Sequence, residues 1–168
     1  LLLRRQRVSP TRAIERIAGL QAQWPPSPYL GLWSRVEGFR QADLVRAVAR
    51  RHVVKATLMR TTLHLVTAKD YLAYAGLFRE RRVEWAHQQL GTLAPDSDID
   101  RVADRLAELA AERPRTRPEL LALLGQPKRT PQDRQPWLFW YLLVAMAGLV
   151  NAPSSSSTRR ARSNNGRV

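Results

Sequence analysis

Gln21 and Gln23 stand two residues apart in Gly19-Leu-Gln-Ala-Gln-Trp-Pro-Pro-Ser-Pro28, where a helical apolar pattern runs into three prolines. Ile14, Ile17 and Ala18 recur at helical spacing, and Gln21 takes the next place on their stripe. A buried amide without partners costs about 1–3 kcal/mol. Gln21 therefore faces either a set of polar partners or a solvent-filled cleft lined by the helix end. In a continuing helix Gln23 would point away from it, but Pro25 and Pro26 lack an N–H and turn Trp24 out of the helical region. The two amides then converge, and the chemistry they offer is hydrogen bonding to water and the pull of a carbonyl dipole on positive charge. On spacing alone a simpler reading also stands: Gln21 satisfies a local backbone group and Gln23 is solvated at the helix end.

Other chemistry is thin. Asp96-Ser-Asp98-Ile-Asp100 imitates the first half of a calcium loop, but Arg101 fills the glycine position and Ala107 the bidentate glutamate position. His52, His64 and His87 lack metal-ligand spacing, and none of the eight glycines builds a phosphate-cradling loop, so no metal and no nucleotide cofactor is expected. The absence of cysteine removes thiol nucleophiles and disulfides and suits a reducing, cytoplasmic compartment.

The charge is more telling. The formal net charge is +14, and it is uneven: residues 1–60 hold 12 basic and 3 acidic side chains, residues 61–126 hold 9 and 10, and residues 127–168 hold 7 and 1. Such an excess over the first third points to a polyanion, nucleic acid before an anionic membrane. The longest apolar run, Trp137 to Val150, has 14 residues against the roughly 20 that span a bilayer, so no membrane span is expected. Charged residues come after Leu1–Leu3 instead of preceding them, unlike a signal peptide, and the missing initiator Met suggests an incomplete start.

A helical scaffold must hold these groups in place. Ser9-Pro10 starts a helix that runs to about Gln23. Tyr29–Val36 and Gln41–Arg51 form two more, the last with Arg46 and Arg50 on its outer face. Val53–Val66 reads as two strands turning near Arg60-Thr61. Three helices and a hairpin is the winged-helix order, which supplies a recognition helix and a wing. Arg35, Arg46, Arg50, Arg51, Lys55, Arg60 and His64 are the expected DNA contacts, with a solvated strand histidine as the alternative for His64.

A long helix, Lys69–Leu90, leads to a second helical set, Asp98–Arg113, Thr116–Leu124 and Pro136–Val150, with Leu149–Asn151 beginning a second wing. The expected fold is mainly α with small β-hairpin wings, arranged as tandem winged-helix domains. Residues 1–67 form the first, residues 68–153 a linker helix and an incomplete second, and residues 154–168 a disordered basic tail. Trp137, Phe139, Trp140 and Tyr141 make the last helix apolar nearly all round, which suits a buried element; in a truncated chain it offers a surface for self-association.

Leu20-Gln-Ala-Gln23, Tyr29-Leu-Gly-Leu-Trp-Ser-Arg35 and Met59-Arg-Thr-Thr-Leu-His-Leu-Val66 together resemble the bacterial winged-helix DNA-binding family that includes the AlkZ and YcaQ DNA glycosylases. The resemblance covers Leu1 to about Pro153. It implies tandem winged helices lining a basic channel, with Gln21 and Gln23 as the catalytic pair that excises alkylated or crosslinked bases. It also implies longer chains, with a third winged helix, a small β-barrel and a DNA-contacting His-apolar-Pro hairpin that has no match here, so a truncated member is expected. Thr61 stands where relatives often carry glycine. Glycosidic cleavage usually needs carboxylates to protonate the leaving group and activate water. An N7-alkylated purine is already cationic and leaves without a proton, so positioned water and a stabilised oxocarbenium-like sugar suffice. A non-enzymatic winged-helix regulator is the alternative.

Overall fold

A computed structural model describes residues 4–93, 98–124 and 136–151. The chain is mainly helical and divides into two compact units, the first built on residues up to Tyr74 and the second on Ala75–Val150.

The first unit begins with helix α1, Pro10–Arg16, whose start is set by its sequence: Ser9 Oγ accepts the Arg12 N–H at 3.2 Å, and Pro10 has no N–H to leave unpaired. The helix ends well before Gln23. Ala18 and Gly19 adopt positive φ (58° and 121°), the Ala18 N–H donates to Glu15 O at 3.2 Å, and the Gly19 N–H donates to Ile14 O at 3.1 Å. This paired closure satisfies the last carbonyls and reverses the chain. Only glycine fits at position 19, because a Cβ there would lie 2.9 Å from Val66 Cγ1. The chain then enters strand β1, Leu20–Gln21, so the extended helix expected from the sequence is corrected to a short helix, a turn and a strand.

Helix α2, Ser27–Trp33, and helix α3, Gln41–Ala49, come next, then β2, Val53–Thr57, and β3, Leu63–Thr67. Strands β1, β3 and β2 lie side by side in that order, each neighbouring pair antiparallel. One face packs on α1–α3 through a core that includes Ile14, Leu32, Leu44, Val53 and Leu65; burying each such side chain is worth about 1.5–3 kcal/mol. On the other face Ala56, Leu58 and Val66 meet Tyr71 and Tyr74 of α4, Ala68–Leu77. The hairpin turns where expected, through Arg60 and Thr61, both with positive φ (51° and 53°). Helix α3 closes in the same way as α1: the Arg51 N–H reaches Val48 O and the His52 N–H reaches Ala47 O, both at 2.9 Å, with Arg51 at φ 58°.

The second unit holds α5, Arg79–Leu93, α6, Ile99–Glu112, α7, Arg117–Leu123, and α8, Pro136–Met146. The continuous helix expected over Lys69–Leu90 is thus interrupted at Phe78, just after Gly76, the weakest helix former in that run. Leu90, Ile99, Leu106, Leu109, Leu142 and Leu143 are among the residues of the shared core. Asp98 caps α6 by accepting the Arg101 N–H at 3.1 Å. Thr116 and Glu119 form a reciprocal box at the start of α7. Arg82, buried, donates from Nε to Ala145 O at 2.8 Å and so closes the carbonyl end of α8. Residues 140–146 of α8 are buried or half-buried, so their apolar surface is covered and supports no self-association. Asp96 of the rejected calcium loop, the Trp137 and Phe139 side chains and the tail beyond Asn151 lie outside the described residues.

Candidate functional site

Gln21 ends β1 and Gln23 lies two residues on, just past the strand. Along a strand successive side chains alternate between faces, and here Gln21 and Gln23 are exposed while Ala22 between them is 2% exposed. The extended run through Ala22 leaves both glutamines exposed on either side of a buried alanine, and the helix expected to carry them has already ended at Arg16, before the prolines.

Pairing with β3 adds a third residue. Gln21 lies opposite His64, and Leu20 opposite Leu65. The Ala22 N–H donates to Leu63 O at 2.7 Å, so Gln21 and His64 form the intervening non-hydrogen-bonded pair, in which Cα atoms come within about 4.5 Å and side chains are closest. The ladder then departs from the regular pattern. The Leu63 N–H donates to Gln23 Oε1 at 3.1 Å. Because a backbone N–H can only donate, this bond fixes the Gln23 amide with its oxygen toward the strand and its NH₂ outward. The Gln21 amide makes no hydrogen bond among the described residues, although its backbone carbonyl accepts the Ser27 hydroxyl at 2.7 Å.

Ser27 ties down the corner beyond. Its hydroxyl also lies 2.9 Å from Trp24 O and its N–H donates to that carbonyl at 3.0 Å, closing a turn around Pro25-Pro26. The Trp24 ring is 59% exposed at this turn.

His64 is 9% exposed, and its Nδ1 lies 2.9 Å from Thr62 O. Its other strand neighbour is Ala56 of β2. This arrangement can hold water and a cation between amides and an imidazole. Among the described residues no cluster of three or more His, Cys, Asp or Glu could hold a metal ion.

The basic residues fall into separate places. Arg46 and Arg50 are exposed on and just after α3, Arg51 comes next in its left-handed conformation, and Arg60 is exposed at the tip of the hairpin. Arg46 is paired with Asp43, which also meets Arg40 at 3.3 Å. Burial works to raise the Asp43 carboxyl, but the hydrogen bonds from Arg40 and Arg46 outweigh it and hold the pKa below its ordinary value. Arg35 is folded back on α2, donating from Nη1 to Gly31 O at 2.8 Å and to Ser34 Oγ at 2.9 Å. Lys55 lies opposite Leu65, on the sheet face turned toward the helices, and burial lowers its pKa. Gln21, Gln23 and His64 are therefore brought together, while Arg35 and Lys55 stand apart from the exposed arginines.

A cleft of about 360 Å³ lies elsewhere on this unit, between the start of α1 and α3, and takes in Arg46, Arg50 and His52 but neither glutamine. Strand β1, the Ser27 anchor and the Thr62 carbonyl are not foreseen from the sequence. The one signal for them is the alternation Leu-Gln-Ala-Gln, with the small residue in the buried slot.

A family model described as DNA glycosylase AlkZ-like matches residues 14–164. Among solved structures, the chain is similar to the Streptomyces sahachiroi DNA glycosylase AlkZ, with a TM-score of 0.75 and 22% sequence identity over 92% of this chain and 43% of that one. The chain thus spans less than half the length of that protein. No curated protein matches it.

Proposed function

Because the chain belongs to the AlkZ-like DNA glycosylase family, we propose that it is the DNA-binding and catalytic part of a monofunctional glycosylase that excises N-alkylated or crosslinked bases. The observation that carries this reading is Gln21 of β1 opposite His64 of β3, with Gln23, just past the strand, also exposed and bonded through its side-chain oxygen to the Leu63 N–H. The alkylated base departs as a neutral leaving group, so the protein must hold water and stabilise the cationic sugar. The unpartnered Gln21 amide suits the water and the sugar directly. Gln23, with its oxygen held by Leu63, presents its NH₂ and keeps one oxygen lone pair free.

The first unit reads as a winged helix, supported by its order of helix, strand, two helices and two strands, with α3 as recognition helix and the β2–β3 turn as wing. The second unit, with α7 and α8, reads as the start of another. DNA is the partner, met through phosphates by Arg46, Arg50, Arg51 and Arg60. A cytoplasmic location fits; among the described residues no helix is long and apolar enough to cross a membrane.

The test is to incubate the chain with a duplex containing N7-methylguanine and to look for free base. Release above the spontaneous rate is expected. DNA binding without release would leave a non-enzymatic winged-helix regulator as the function.

A further inference from the structure

Gln21 and Gln23 can hold water but cannot take its proton, since an amide is not a base at neutral pH. The attacking water must still lose a proton as the new C–O bond forms, and a base beside it speeds that step; this inference rests on the proposed glycosylase reaction. Among the side chains of the three strands, the sheet face that carries Gln21 also carries Val54, Ala56, His64 and Val66. His64 alone among them carries a basic ring nitrogen.

Its hydrogen bond settles which nitrogen is free. The Thr62 carbonyl can only accept, so at 2.9 Å it requires a proton on Nδ1 and leaves Nε2 of the neutral ring with a lone pair. Among the described residues Nε2 has no hydrogen-bond partner. A ring nine-tenths buried, with Nδ1 held on the backbone, is poorly placed to grip a phosphate. It is well placed to meet one small molecule held beside Gln21.

We propose that His64 is a further catalytic residue, the base that receives the proton of the attacking water. The water oxygen bonds to the sugar C1′ while the C1′–N9 bond breaks. The electron pair of that bond goes to the cationic N7-alkylpurine, which leaves neutral. The water proton passes to Nε2, giving an imidazolium that later releases it to solvent. Thr62 keeps the ring turned and gains a stronger bond when the imidazole is charged.

Two measurements decide. Asparagine at this position can still donate to Thr62 O from its amide but has no basic nitrogen, so His64→Asn should cut base release from N7-methylguanine DNA about 10²-fold with DNA affinity unchanged. Wild-type release by this variant would overturn the proposal and leave the glycosylase reading intact. The second measurement needs no variant: imidazole ¹⁵N resonances of the full chain, recorded with a plain duplex and with one carrying a cationic azasugar abasic mimic. The expected result is an unprotonated Nε2 at neutral pH whose resonance moves only with the azasugar duplex. A proton on Nε2 in place of Nδ1, or no response to the azasugar, would sink the assignment. A chain that shows the response but releases no base has lost the glycosylase reading, whereas one that releases base without the response has lost only His64.

Discussion

The Leu63 N–H donates to the side-chain oxygen of Gln23 at 3.1 Å, across 40 positions of sequence. Gln23 therefore belongs to the sheet as well as to the candidate site, whereas the exposed Gln21 side chain has no such bond. The two glutamines should respond differently to the same substitution. Gln23→Ala removes a hydrogen bond worth about 0.5–1.5 kcal/mol and should lower both Tm and base release. Gln21→Ala should leave Tm unchanged and affect release alone. Gln23→Glu keeps an acceptor at the same reach and should restore Tm. Thermal melting of the three variants checks this.

Electrostatic binding should reflect which cations are exposed. Arg46, Arg50, Arg51 and Arg60 are exposed, while Lys55 faces the helices. With four phosphate contacts, log affinity should fall against log salt with a slope of about −4. Arg50→Ala should make that slope shallower by about one, and Lys55→Met should not change it. Fluorescence anisotropy over a salt series measures both.

Thr61 and Arg51 are two of the non-glycine residues that hold left-handed backbone at a cost glycine would not bear. Thr61, at φ 53°, and Arg51, at φ 58°, each forfeit roughly 1–2 kcal/mol relative to glycine. Thr61→Gly should raise Tm without changing DNA affinity. Arg51→Gly should raise Tm and weaken DNA binding together, because it gives up a phosphate-binding charge. Melting curves paired with anisotropy separate the two outcomes.

Acid should weaken the cap of α7. The backbone N–H of Thr116 first, then its hydroxyl and Arg113, hold the Glu119 pKa down from 4.5 to about 2. A depressed carboxyl stabilises the fold above its unfolded pKa and loses that contribution as pH falls through the folded one. The Tm advantage of the wild type over Glu119→Gln should thus be full at pH 7, shrink below about pH 4.5 and vanish near pH 2. Melting the two proteins across that range tests it.

Local signals carried much of the architecture. Ser9-Pro10, Asp98 and the Arg60-Thr61 turn are set by neighbours in sequence, and the helix starts and hairpin turn they mark fall where expected. Strand β1 was hidden for a physical reason. Two residues cannot show a period, and Gln21 happened to continue a helical stripe that Gly19 had already ended. The glutamines themselves were legible. What brings them to His64 is strand pairing with residues more than 40 positions away, and the tautomer of His64 depends on Thr62 O, so neither could be read from spacing.

The most direct test is single-turnover base release from N7-methylguanine duplex by the wild type and Gln21→Ala, with Kd measured on the same duplex. The account predicts clear release by the wild type and a loss of about 10²- to 10³-fold in the variant at unchanged Kd, as when a group that acts only in the transition state is removed. No release by the wild type, or a variant that loses binding and rate in equal measure, would contradict it.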